Sequence, residues 1–223
     1  MFIVGTDTFL VAPLLPELRA EFHVSPQMSG WLVSSYALGY ALCALVAGPL
    51  SDRIDRRRML LAGLTGFTVL TAACGLAWGF RSLVVLRLLA GAAAALATPQ
   101  IWASIPLLVP GDSVIRVMGR ATAGLAVAQL AGVPAGAFLA ADSWRVPFFV
   151  IGTVAAGVTL ALVVGFPSVP RQTVTSENGR TPGYRGVLRA GRLMTGLAAY
   201  LVFQTGNFAA LSFFGSWFSR DFG

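Results

Sequence analysis

Charge is what this sequence has least of. Only 11% of its 223 residues are Asp, Glu, Lys or Arg, against about 25% in a soluble domain. With 56% hydrophobic residues and a mean hydropathy of +0.75, that scarcity excludes a soluble enzyme, a disordered tail and a nucleic-acid-binding module as first readings. A polytopic membrane protein is left. Lysine is absent, a mark of GC-rich coding rather than of chemistry, so all sixteen positive charges are arginine and the net charge is +7. Cysteine is nearly absent too. Cys43 and Cys74 lie in apolar runs without a C-x-x-C spacing, which argues against a disulfide framework or a zinc site. The single histidine, His23, sits in a polar stretch without a second ligand type nearby, so no metal site is expected.

A spanning helix needs roughly 20 apolar residues. Seven segments approach this: 2–16, 28–50, 59–79, 82–105, 119–141, 145–166 and 193–218. The first is short, with neither the basic flank nor the cleavage site of a signal peptide. Both ends of the chain are expected to be truncated. Eleven arginines (53, 56, 57, 58, 116, 120, 171, 180, 185, 189 and 192) fall on one side of this topology and four (19, 81, 145 and 220) on the other. The richer side should be cytoplasmic, which puts the N-terminus inside. The polar stretch 167–192, broken by Pro and Gly, divides the chain. It separates a six-helix unit, 1–166, from a seventh helix, 193–223.

Two ionisable residues interrupt the apolar runs. Such groups are costly in a membrane unless paired, hydrated or neutral, and so mark function by default. Asp7 lies nine residues before Pro16, about 13 Å at helical rise and close to mid-membrane. Arg87 lies about 7 Å inside the fourth segment. Gly91 and Ala95 follow it at four-residue steps, which puts it on a close-packing face rather than a lipid-facing one. The two depths differ by about 6 Å, within reach of an arginine side chain. An Asp7–Arg87 pair is predicted. In the fifth segment Gly124, Ala128, Gly132, Gly136 and Ala140 recur every four residues, a ladder that lets another backbone approach closely. Pro134 inside it should kink the helix. Polar or aromatic residues in apolar helices are the cavity candidates: Tyr36, Tyr40, Gln100, Gln129, Gln204 and Asn207. Interhelical hydrogen bonds account for each of them equally well.

The connection after the second segment carries Gly48, Asp52, Arg53, Arg56 and Arg57. It resembles the signature loop of the major facilitator superfamily, with Asp55 in place of that family's second glycine. Arg87 with Gly91 resembles the family's fourth-helix motif. Gly124 through Gly132-Val133-Pro134-Ala135-Gly136 resembles the fifth-helix motif of its antiporters, and Trp144-Arg145-Val146-Pro147-Phe148 the start of its sixth helix. Gly5-Thr6-Asp7 through Pro13-Leu14-Leu15-Pro16 looks like the first helix of the drug/proton antiporter branch. The resemblance implies an all-α integral membrane fold: a six-helix N-terminal half and one helix of a second half, joined by a cytoplasmic linker. The inverted three-plus-three repeat of such a half is not visible in the sequence.

The resemblance further implies proton-coupled efflux of drug-like or amphipathic molecules across the inner membrane. Asp7 and Arg87 would couple the proton, the loop would gate, and the fifth helix would pack and bend. The expected partners are the lipid bilayer, a small-molecule substrate and the missing second half, with no nucleic acid and no cofactor beyond the proton. Two alternatives stand beside this reading: an exporter of sugar or amino-acid-like metabolites, and a non-transporting or inactive truncated membrane protein. An enzyme is not expected, since neither H-E-x-x-H nor G-x-S-x-G occurs.

Overall fold

Polar and proline-bearing breaks cut the apolar sequence into helices, and the structure, a computed structural model, follows them. It describes residues 1–51, 54–167, 191 and 193–206, with the side chains of Pro49 and Val133 left aside. Among the described residues every regular element is helical. The chain divides into two units, Met1–Arg171 and Gln172–Gly223.

In the first unit α1 (Phe2–Phe22) ends where His23 turns left-handed, at φ 51°, and its N–H bonds the carbonyl of Arg19. This closure satisfies one orphan carbonyl of the last turn. Helix α1 runs through Pro13 and Pro16, so it is longer than the apolar stretch 2–16. A single turn, α2 (Pro26–Ser29), precedes α3 (Trp31–Ser51). Helix α4 (Arg56–Cys74) is capped by Asp55, whose Oδ1 accepts from the N–H of Arg58 at 3.1 Å. Helices α5 (Phe80–Leu108), α6 (Gly111–Ala140) and α7 (Val146–Gly165) follow. Helix α6 starts eight residues before the expected 119, because its polar first turns are helical as well, and it continues as α-helix through Pro134. By length and apolarity four segments suit a membrane crossing: Pro26–Gly48, Phe80–Leu108, Gly111–Gly132 and Val146–Gly165. Helix α1, with Asp7, Glu17, Arg19 and Glu21, and α4, which opens on three arginines, are more charged and are not among them. In the second unit the described element is a shorter apolar helix, α8 (Leu193–Gly206).

Packing within the first unit has an internal symmetry. Helix α3 lies along α5, α1 along α6, and α4 against both α5 and α7. Exchanging α1, α3 and α4 for α5, α6 and α7 turns the α3–α5 pair into the α6–α1 pair and leaves α4–α7 in place. These pairings are those an inverted repeat generates, while the broad α4–α5 contact has only a slight counterpart in α1–α7. Leu10, Leu14, Leu18, Phe67 and Phe148 fill the core without exposure, while Leu130, Phe138 and Val164 stand 78–82% exposed on the outside. Apolar side chains that face outward on apolar helices suit a lipid solvent.

The two ends of the bundle differ. At one, Phe22, Phe80, Trp144 and Phe148 form an edge-to-face aromatic chain. There Glu17 Oε1 accepts from the N–H of Trp144 at 2.8 Å. Arg145 donates to the Gly75 carbonyl at 2.9 Å and lies over the Trp144 ring. The opposite end carries Arg56 and Arg57 at the start of α4.

Candidate functional site

The close approach of α3 and α5 sets the site. A Cβ on Gly39 would run into the Leu88 carbonyl, and one on Gly91 into the Tyr36 carbonyl. The two backbones therefore touch there, and only glycine fits at either position. One turn before Gly91, Arg87 points from α5 into the core and is 1% exposed. One turn before Gly39, Tyr36 lies on α3, 5% exposed, and its ring centroid is 4.3 Å from the Arg87 Cζ.

From α1, Asp7 meets this arginine. Arg87 Nη1 donates to Asp7 Oδ2 at 2.7 Å, and the acid is fully buried. Helices α1 and α5 pack chiefly on other partners. The length of the arginine side chain bridges them, so the pair links the α1–α6 pair to the α3–α5 pair. Each group has unused capacity: Asp7 Oδ1 and Arg87 Nε reach no protein partner, and neither does Thr71 Oγ1 nearby. Buried polar atoms are ordinarily satisfied, so this cluster holds spare donors and acceptors in an apolar core. A proton on Asp7 would neutralise the acid and remove its attraction for the guanidinium, whereas the arginine stays charged.

The other sequence candidates fall into separate places. The glycine ladder of α6 faces α1: Gly136 lies against the Leu10 carbonyl and Pro13, Gly132 against Phe9 and Thr6, and Gly124 against Phe2. Pro134 is exposed. Gln100, 3% exposed, donates to the Met59 sulfur at 3.4 Å. Tyr40 packs beside the core, and Gln129 and Gln204 are half-buried. Gly48 is exposed and its carbonyl accepts from the Ser51 hydroxyl at 2.7 Å. Arg56 Nη1 donates to the Ala103 carbonyl near the end of α5 at 3.0 Å, and Arg57 Nη2 to the Val163 carbonyl in the last turn of α7 at 2.8 Å. Arg57 thus braces the end of α7, where carbonyls lack helical partners, and Arg56 ties α4 to the penultimate turn of α5. Asp55 adopts φ −57° and ψ 127°, ordinary values for a cap, so an acid in place of the family glycine causes no strain. Asp52, Arg53, Asn207 and most of the linker lie outside the described residues. The Glu17–Trp144 brace was not foreseen, and no local signal joins residues so far apart.

Apolar helices of spanning length bundled around a buried ion pair define a helical membrane protein. The Major Facilitator Superfamily profile matches residues 1–223, and the chain belongs to that family. It is 47% identical over 222 residues to the uncharacterized MFS-type transporter YceJ of Bacillus subtilis (strain 168), covering 100% of this chain and 57% of that protein. It is 26% identical over 213 residues to Multidrug resistance protein 1 of the same organism, covering 96% of this chain and 54% of that protein. The chain thus spans about half the length of these curated relatives. A bacterial homologue of the human lysosomal transporter Spinster, in an inward-facing and occupied conformation, has the same fold: TM-score 0.69 at 20% identity, over 77% of this chain and 43% of that one.

Proposed function

We propose that the chain belongs to a proton-coupled exporter of amphipathic, drug-like molecules of the drug/proton antiporter branch, working by alternating access in the bacterial inner membrane. The observation that carries this reading is the Asp7–Arg87 pair, buried where four helices meet. A pair so placed is costly to keep unless its breaking and remaking does something. Proton uptake by Asp7 would free Arg87 and let α1 move relative to α5. A cationic or neutral substrate would compete for the same acid. The likeness to a relative named for multidrug resistance supports an amphipathic cargo. The arginine-rich end would face the cytoplasm, together with the N-terminus and the linker. The loop at Gly48, Asp52, Arg53, Arg56 and Arg57 would gate, and the glycine face of α6 would seal against α1 during rocking. A second six-helix half would complete the transport path.

Asp7→Asn in the full-length protein tests the coupling. With ethidium export driven by an imposed proton gradient, the variant should lose at least about tenfold in rate, since proton transfer groups typically contribute 10²–10⁴. Export at the wild-type rate would overturn the proposal.

A further inference from the structure

We propose that Tyr36 is a positioning residue for proton coupling: its ring face holds the Arg87 guanidinium in place when Asp7 is neutral. The inference rests on the proton-coupled reading above and adds a residue to it.

Arg87 is 1% exposed and remains charged whatever happens to its partner. The hydrogen bond shown for its side chain goes to Asp7, and its Nε has none. A proton on Asp7 would leave the guanidinium without a counter-charge in an apolar core, a costly state. The Tyr36 ring, 4.3 Å from Cζ, is the other electron-rich group against it. Cation–π attraction is strongest where both partners are desolvated, and both are buried here. While the acid is charged the guanidinium is shared between the carboxylate and the ring. Once the acid is neutral the guanidinium can centre on the ring face, so the attraction is larger in that state. It therefore stabilises the protonated state selectively.

Backbone geometry aims the ring. The contact at Gly39 and Gly91 fixes α3 on α5 one turn from both Tyr36 and Arg87. The ionisable groups around Arg87 are Asp7 from α1, Tyr36 from α3 and Cys74 from α4, with Tyr40 beside Tyr36. Helix α7 contains no charged residue, and those of α6 (Asp112, Arg116 and Arg120) lie in its first ten residues. A two-residue connection places those beside the far end of α5, away from Arg87. No other carboxylate stands ready to replace Asp7 there among the described residues.

The test is the pH dependence of ethidium export by the full-length protein in proteoliposomes, for wild type, Tyr36→Phe, Tyr36→Leu and Asp7→Asn. Losing the ring makes protonation harder, so the Tyr36→Leu midpoint should move to lower pH by about 0.5–1.5 units, the cation–π range expressed as a pH shift. Tyr36→Phe keeps the ring and should keep the wild-type midpoint. Tyr36→Met, also without a π face, serves if the leucine variant does not fold, and should shift in the same direction. An unmoved midpoint in the ring-less variant overturns the inference, as does an equal shift in Tyr36→Phe, which would assign the effect to the hydroxyl. If Asp7→Asn keeps a wild-type pH profile, the coupling reading itself fails, whatever the Tyr36 variants do.

Discussion

Helices α3 and α5 touch backbone to backbone at Gly39 and Gly91, whereas α1 and α6 meet less closely, with ordinary contact at Gly132 and tight contact at Gly136. A Cβ on Gly132 would find its nearest neighbours at 3.4–3.7 Å, and one on Gly136 at 3.0–3.2 Å. The two pairs hold equivalent places in the inverted repeat, yet the first is the more closely packed. Arg87 belongs to the closer pair and Asp7 to the looser one. A switch made by breaking their contact needs one partner fixed and the other free to shift. In the proposed mechanism the arginine would be the fixed partner and the acid, on the less closely packed pair, the one that shifts.

Breaking the link between the pairs should have the largest effect. Asp7→Leu leaves Arg87 charged and unpaired in the core, at a cost of about 3–5 kcal/mol. The detergent-purified protein should melt far below wild type. Next come Gly39→Ala and Gly91→Ala, each of which sets a methyl against a backbone carbonyl. Overpacking of this kind costs about 1–3 kcal/mol, and a clash with backbone belongs at the upper end. Asp55→Ala lies outside both pairs and removes only the α4 cap, so about 1 kcal/mol is expected. Gly132→Ala should be the mildest, within about 0.5 kcal/mol, since its Cβ meets ordinary contacts. Thermal unfolding of the set gives the order directly. If Gly132→Ala proved as damaging as Gly91→Ala, the contrast between the pairs would collapse.

Composition alone pointed to the ionisable groups. Asp7 and Arg87 are conspicuous because each is a charged residue inside a largely apolar run. The four-residue step from Arg87 to Gly91 placed the arginine on a packing face, and the α6 ladder marked a close contact. What neither could show is which helix answers which. Gly91 meets the Tyr36 backbone and Gly39 the Leu88 backbone, and only this apposition of α3 and α5 explains why Tyr36 stacks on Arg87 instead of lining a cavity wall. Helix limits were less legible, because hydropathy reports what lipid or core covers, not where hydrogen bonding stops. Arg116 and Arg120 read as loop charge, yet they lie in the first turns of α6. The inverted repeat was hidden for a similar reason: it lives in the pairing of helices, not in repeated residues.

Proton release on substrate binding tests the central claim most directly. Tetraphenylphosphonium is added to the purified full-length protein in weakly buffered detergent solution, and the pH change is followed for wild type and Asp7→Asn. The account predicts that the cation displaces a proton from the wild type near its coupling midpoint and none from the variant. Equal release from both, with binding intact, would show that the exchanged proton does not sit on Asp7 and would contradict the account.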